Sequence, residues 1–306
     1  IDAAVAFTAR LLDTHPLAIR SAPGVPGRFE RLRHADRRYL AHEYFNRDWD
    51  PLSFADMASL FGAAGLSYAC SAQLRNHIDA LNLTDGQRRL LAEISDADFR
   101  ETMRDFMTNA QVRRDYWVRD ARRLTPEALH EAWRATRVVL TVPRGDVAER
   151  VTGPLGEQSL ADPVHREVLA ALGVHAPRAI EYLRATTGLA VGTLADVVFQ
   201  LAAFGYVSVA QDDATVARCT ERTQRLNARL VTLAATSDDI AVLASPVTGG
   251  GVNVDRLEKL FLEAIASGGR TPDDWVAHAR QRAAGWLDTA GATELAQQAR
   301  RFADRR

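Results

Sequence analysis

The strongest constraint on this chain is its punctuation. Ser53 with Asp56, Thr84 with Gln87 and Ser95 with Asp98 each place a short hydroxyl side chain three residues ahead of a polar partner, and Thr125 is followed by Pro126. Such pairs start helices, because the side-chain oxygen accepts the orphan N–H groups of the first turn. The strand-like runs between them are short: LSYACSA (66–72), RVVLTVP, ERVTGPLGE, YVSVA and IAVLA (240–244). The pattern predicts an α+β fold that is mainly α: a helical N-terminal region with a few short strands, a winged-helix module, and a helical C-terminal region.

Residues 1–13 read as an amphipathic helix with Val5, Leu11 and Leu12 among its apolar positions, so a start at Ile1 is expected to mark a piece of a longer protein. SAPGVPGR (21–28) reads as a linker that no helix crosses, followed by a helical run from Phe29. Ser53 opens the next helix, with Phe54, Met57, Leu60, Phe61 and Ala64 near one face, and Gly65 stops it ahead of the alternating run at 66–72. A helix is then expected to lead through FRETMRDFMTNAQVRRDYWVRD.

From Asp162, three compact helical patterns end at Gly205 and run into YVSVA, which is a winged-helix order. Two long polar helices around an apolar strand are expected in the last ninety residues. Asn253 or Asp255 caps a helix whose Leu257, Leu260, Phe261, Ala264 and Ile265 share a face, and Gly268 ends it. The domains expected are 1–123, 124–215 and 216–306.

A length of 306 residues, 47% hydrophobic and 25% charged, suits a soluble globular protein able to bury real cores. A formal net charge of -1 gives no global attraction to nucleic acid or acidic lipid, and no window approaches eighteen uninterrupted apolar residues. No basic n-region with a cleavage pattern opens the chain, so a cytoplasmic location is expected. Cys70 and Cys219 lie far apart and fit reduced thiols. Lys259 is the only lysine among 38 basic residues, a coding bias.

No dedicated chemistry follows from the remaining motifs. The histidines are scattered, without H-E-x-x-H or paired C-x-x-C, which argues against a metal site. No G-x-S-x-G elbow is present, and Cys70 sits in an apolar alternation as a core residue. The glycines of PVTGGGVNVD precede a helix, but the phosphate-binding spacings are missing, and a turn is the better reading. The third helix of the winged-helix pattern, 193–205, holds Asp196 and Gln200 and no basic residue, which disfavours DNA reading.

YLAHEYFNRDWDP (39–51) gathers aromatics, a histidine and several carboxylates. Aromatic burial with Asn46, Asp48 and Asp50 in turn hydrogen bonds before Pro51 would explain it as packing. The run 39–72 resembles the predicted methyltransferase regulatory region of bacterial class I S-adenosylmethionine-dependent methyltransferases, through HEY (42–44), WDP (49–51), the helix from Phe54 and AGLSY (64–68). Residues 105–120 and 243–264 resemble the same family, whose best-known members are lysine methyltransferases of outer-membrane proteins.

That resemblance implies S-adenosylmethionine for the complete protein, a cofactor-binding catalytic domain upstream as partner, and a protein substrate. The cofactor domain's glycine-rich turn is missing here, so no catalytic residue and no cofactor is expected in this chain. His42, Glu43, Tyr44, Asn46 and Trp49 are the candidates for a substrate or domain interface. The helix, Gly65 and strand of 53–70 are similar to the late helix and strand of a class I sheet, which would put the motif at that sheet's edge. A winged-helix DNA-binding regulator and an oligomerisation or homodimer module are the alternative functions.

Overall fold

The computed structural model describes residues 1–173, 176–287 and 291–304. The chain is mainly helical with few short strands. It divides into two compact units, Ile1–Leu60 and Phe61–Arg306.

The first unit holds α1 (Asp2–Asp13), α2 (Ala18–Ser21), α3 (Val25–Arg33), α4 (Arg37–Glu43) and the start of α5 (Phe54–Ala63). The linker expected at 21–28 is interrupted by structure. α3 begins at Val25 and carries Pro26 in its first turn, where proline lacks only an N–H that has no helical acceptor. The expected run from Phe29 is two helices, because the Asp36 carboxylate accepts from the N–H groups of Arg38 and Tyr39 and starts α4 afresh. YLAHE therefore lies in α4 and FNRDWDP in the loop beyond it.

In the second unit, β1 (Leu66–Ser71) follows Gly65, whose φ of 74° suits a residue without Cβ. A 3-10 turn (Leu74–His77), α6 (Asp79–Asn82), α7 (Asp85–Glu93) and α8 (Ala97–Thr108) come next. Thr84 and Gln87 form the reciprocal cap of α7 as expected. For α8 the cap is Asp96, accepting from Phe99 N, one residue beyond the expected Ser95.

α8 stops at Asn109, in a left-handed conformation, and DYWVR becomes β2 (Asp115–Arg119) where a helix was expected. The aromatic and β-branched residues of this run suit a pleated strand, and it pairs antiparallel with β1 in a separate two-stranded sheet. No third strand joins them among the described residues, which counts against the motif's placement at the edge of a larger sheet.

Next come α9 (Pro126–Ala135), β3 (Arg137–Leu140) and a 3-10 turn (Arg144–Asp146). ERVTGPLGE folds as the hairpin β4 (Arg150–Gly153) and β5 (Gly156–Ser159). α10 (Pro163–Leu172), β6 (Arg178–Ala179), α11 (Ile180–Thr187), α12 (Val191–Ala203) and β7 (Val207–Val209) follow, with strand order β6-β3-β7. Val138, Leu160, Val168, Leu172, Ile180, Leu183, Leu194 and Leu201 form their common core, each fully or nearly fully buried. Each such side chain contributes roughly 1.5–3 kcal/mol over an exposed one.

α13 (Asp213–Leu233) leads to the hairpin β8 (Val242–Ala244) and β9 (Gly251–Asn253). The glycine run is the turn of that hairpin: Gly249 N donates to the Ser245 carbonyl and Thr248 N to Ser245 Oγ. A Cβ at Gly249 would lie 2.7 Å from Gln211 Nε2, so the turn is packed where a phosphate cradle would need open amides. α14 (Arg256–Ala266), α15 (Pro272–Arg282), α16 (Ala284–Leu287) and α17 (Ala292–Asp304) close the chain around Leu260, Phe261, Trp275, Ala279 and Ala299. Asp255 caps α14, and Leu257, Leu260, Phe261 and Ala264 are buried as the spacing predicts.

Candidate functional site

The motif is an exposed surface in this chain. Leu40 is buried, whereas His42, Glu43, Tyr44, Phe45, Asn46 and Trp49 are all exposed, Trp49 at 60%. The aromatic burial expected of a packed corner is therefore not found. Tyr39 and Tyr44 meet edge to face with centroids 6.1 Å apart, and Arg28 Nη2 lies 3.4 Å from Tyr44 Oη. Asn46 Oδ1 accepts from Asp48 N at 3.1 Å, the expected turn bond. Trp49 has no hydrogen bond or ring contact among the described residues.

A second site lies in the other unit, where β1, the segment 73–82, α8, the segment 110–113 ahead of β2 and Pro154 line a polar cleft of about 460 Å³. Its centre is Arg113. The guanidinium donates to Asp115 Oδ2 and Asp105 Oδ1, each at 2.7 Å, to Glu101 Oε2 at 3.0 Å, and to Tyr68 Oη at 3.1 Å. Tyr68 Oη in turn donates to Glu101 Oε2 at 3.2 Å. Arg104 Nη1 donates to Asp79 Oδ1 at 2.7 Å on the same rim.

Local structure explains the convergence. Glu101 and Asp105 are four residues apart and share a face of α8. The left-handed Asn109 then reverses the chain, so that Arg113 and Asp115, just before and within β2, meet that face. Tyr68 arrives from β1, opposite Trp117, beside the irregularity between Tyr68 and Cys70.

Three carboxylates line the cleft, Asp79, Glu101 and Asp105, against Arg104 and Arg113, and Asp115 backs Arg113 from behind the lining. Burial pushes the Asp105 carboxyl above its ordinary range despite the opposing Arg113 charge. Burial, then the Glu101 charge, pushes the Tyr68 phenol up as well. For Arg113 burial acts to lower its pKa, but the hydrogen bonds to Asp115 and Glu101 win, and the guanidinium is held more firmly protonated than usual. Amides complete the wall, with Asn76 Nδ2 on Ser71 Oγ and the His77 ring nitrogen 2.8 Å from the Ser71 carbonyl. Such a cleft can hold a cationic or hydrogen-bonding group.

Among the described residues no group of three or more His, Cys, Asp or Glu is placed to hold a metal ion. Cys70 is partly buried in β1 and free. Sequence reasoning missed the Arg113 cleft. The i, i+4 pair Glu101 and Asp105 was visible, but the reversal at Asn109 and the pairing to Tyr68 depend on a strand that reads as helix.

The model of the family described as "Predicted methyltransferase regulatory domain" matches residues 36–119. An uncharacterized protein of Synechocystis sp. is 33% identical over 267 residues, which are 86% of this chain and 53% of the relative. The chain thus spans about half the length of the curated relative it matches.

Among solved structures, PKMT2 from Rickettsia typhi in complex with AdoHcy shares the fold at a TM-score of 0.56 and 14% identity, covering 94% of this chain and 59% of that one. A second structure of PKMT2 from the same organism gives a TM-score of 0.57 at 15% identity, covering 95% of this chain and 64% of that one. Residues 36–119, the stretch that matches the model of the predicted methyltransferase regulatory domain, hold the exposed motif and most of the residues that line the Arg113 cleft.

Proposed function

We propose that this chain is the regulatory or substrate-handling portion of an S-adenosylmethionine-dependent methyltransferase acting on protein, with the cofactor-binding domain outside it. The observation that carries this reading is the match of residues 36–119 to a methyltransferase regulatory domain. The shared fold with an AdoHcy-bound PKMT2, of which the chain spans 59%, supports it. The glycine-rich turn and acidic ribose partner of a nucleotide-binding domain are missing from this sequence.

In this reading Tyr44 and Trp49 provide contact area for a peptide or for the catalytic domain, with His42, Glu43 and Asn46 as polar neighbours. Their exposure supports that role, since large aromatics left in water on one loop mark an interaction surface. The winged-helix portion serves as a packing module, its α12 carrying Asp196 and Gln200 and no arginine.

Isothermal titration calorimetry tests the assignment. S-adenosylmethionine titrated into this chain gives no binding heat, and titrated into the complete polypeptide gives a saturable isotherm. Saturable binding by this chain alone would overturn the reading.

A further inference from the structure

α13 carries Arg218, Arg222, Arg225 and Arg229, spaced at i, i+4, i+7 and i+11, and all four are exposed. At 3.6 residues per turn they fall within about 60° of arc and form a row roughly 16 Å long. Asn227 lies on the opposite side of the helix, where its side chain holds both the N–H and the carbonyl of Ala244 in β8, each at 2.8 Å. The arginine row therefore faces away from the fold. Arg225 pairs with Glu221 at 3.2 Å, while Arg218, Arg222 and Arg229 have no carboxylate within ion-pair reach among the described residues.

The geometry points to this row as a docking surface for an acidic polypeptide, one whose carboxylates repeat at helical spacing. A helix laid along α13 with acids at i, i+4, i+7 and i+11 matches the arginines one to one, because both rows have the same rise per residue. Glu221, the single acid at the row's edge, sets register by disfavouring an acid opposite it.

Phosphate backbones fit less well. Their capture depends on the summed positive field of a protein, and this chain has a formal net charge of -1, with Asp212 and Asp213 at the start of the same helix. A helix lying in a membrane surface needs its opposite face free to enter the acyl region, and in α13 that face is occupied by Asn227 against β8.

Fluorescence anisotropy with the 306-residue chain tests the proposal. The probe is a labelled alanine-rich 21-residue helical peptide with glutamates at i, i+4, i+7 and i+11, compared with its lysine counterpart, a labelled 20-base-pair duplex and phosphatidylglycerol vesicles. The glutamate peptide is expected to bind at low salt, and R218Q/R222Q/R229Q to weaken it about tenfold while leaving the circular-dichroism spectrum unchanged. Equal binding of the glutamate and lysine peptides, equal binding by variant and parent, or tighter arginine-dependent binding of duplex or vesicles would each overturn it. Should the triple variant fail to fold, R222Q alone must weaken the glutamate peptide by about twofold, and no change refutes the proposal.

Discussion

Arg75 Nε donates to the carbonyl oxygen of Ala203 at 3.0 Å, joining the segment after β1 to the last turn of α12. The Arg75 guanidinium also lies 4.7 Å from the centroid of Phe204, and the His77 ring meets Phe199 at 5.9 Å. A helix C-terminus leaves carbonyls unsatisfied and carries partial negative charge, so a guanidinium there is doubly favoured. Within the second unit, the region matched by the family model and the α12 core are thereby held together.

Arg75→Ala removes that hydrogen bond and the stack on Phe204. A loss of about 1–2 kcal/mol is expected, read as a lower urea midpoint with an unchanged slope.

Arg113→Met should cost more, about 3 kcal/mol, because it strands Asp105 and Asp115 and leaves Glu101 with Arg104 alone. The sign of the pH dependence follows from Asp105, whose folded-state pKa is already raised. Such a carboxyl contributes stability that is fully present below its unfolded pKa and is lost as pH rises through its folded one. Without Arg113 this effect grows, so the deficit is expected to be largest at neutral pH and to shrink below about pH 5. Unfolding midpoints of parent and variant across that range check it.

Gly153 has no room for a side chain. A Cβ there would sit 2.7 Å from Leu81 Cβ and 2.9 Å from the Leu81 carbonyl, where the β4–β5 hairpin rests on α6. Gly153→Ala is expected to cost about 1–3 kcal/mol through overpacking. Gly145→Ala, with open space around it, stays within about 0.5 kcal/mol, and thermal melts of the pair give the contrast.

Lys259 is 2% exposed, with its ammonium donating to the Ile240 carbonyl and its pKa lowered by burial. As the only lysine, it offers a clean probe. An amine-reactive ester is expected to leave Lys259 unlabelled in the folded chain and to label it only as urea unfolds it, read by mass spectrometry of the peptides.

Much of this fold is legible in local chemistry. Thr84 with Gln87, Thr125 with Pro126, Asp255 and the apolar face from Leu257 to Ala264 are each set by residues within a turn or two, and the structure has them as read. Two of the failures share one cause. Whether DYWVR is helix or strand is decided by its partner β1, some fifty residues earlier, and by the left-handed Asn109 between α8 and β2. The Arg113 cleft depends on that same pairing, so it was hidden with the strand. The motif's aromatics read as core because large rings usually are, and only three dimensions show Trp49 and Tyr44 exposed.

The role proposed for this chain is to handle the protein side of a methyl transfer whose cofactor is bound elsewhere. The most direct test is methyl transfer from labelled S-adenosylmethionine by the complete polypeptide carrying Trp49→Ala, with the unfolding midpoint of the same sample. The account predicts a fall in methyl transfer of about tenfold or more at an unchanged midpoint, as for an exposed anchor residue. Unchanged methyl transfer, or activity and midpoint falling together, would contradict it.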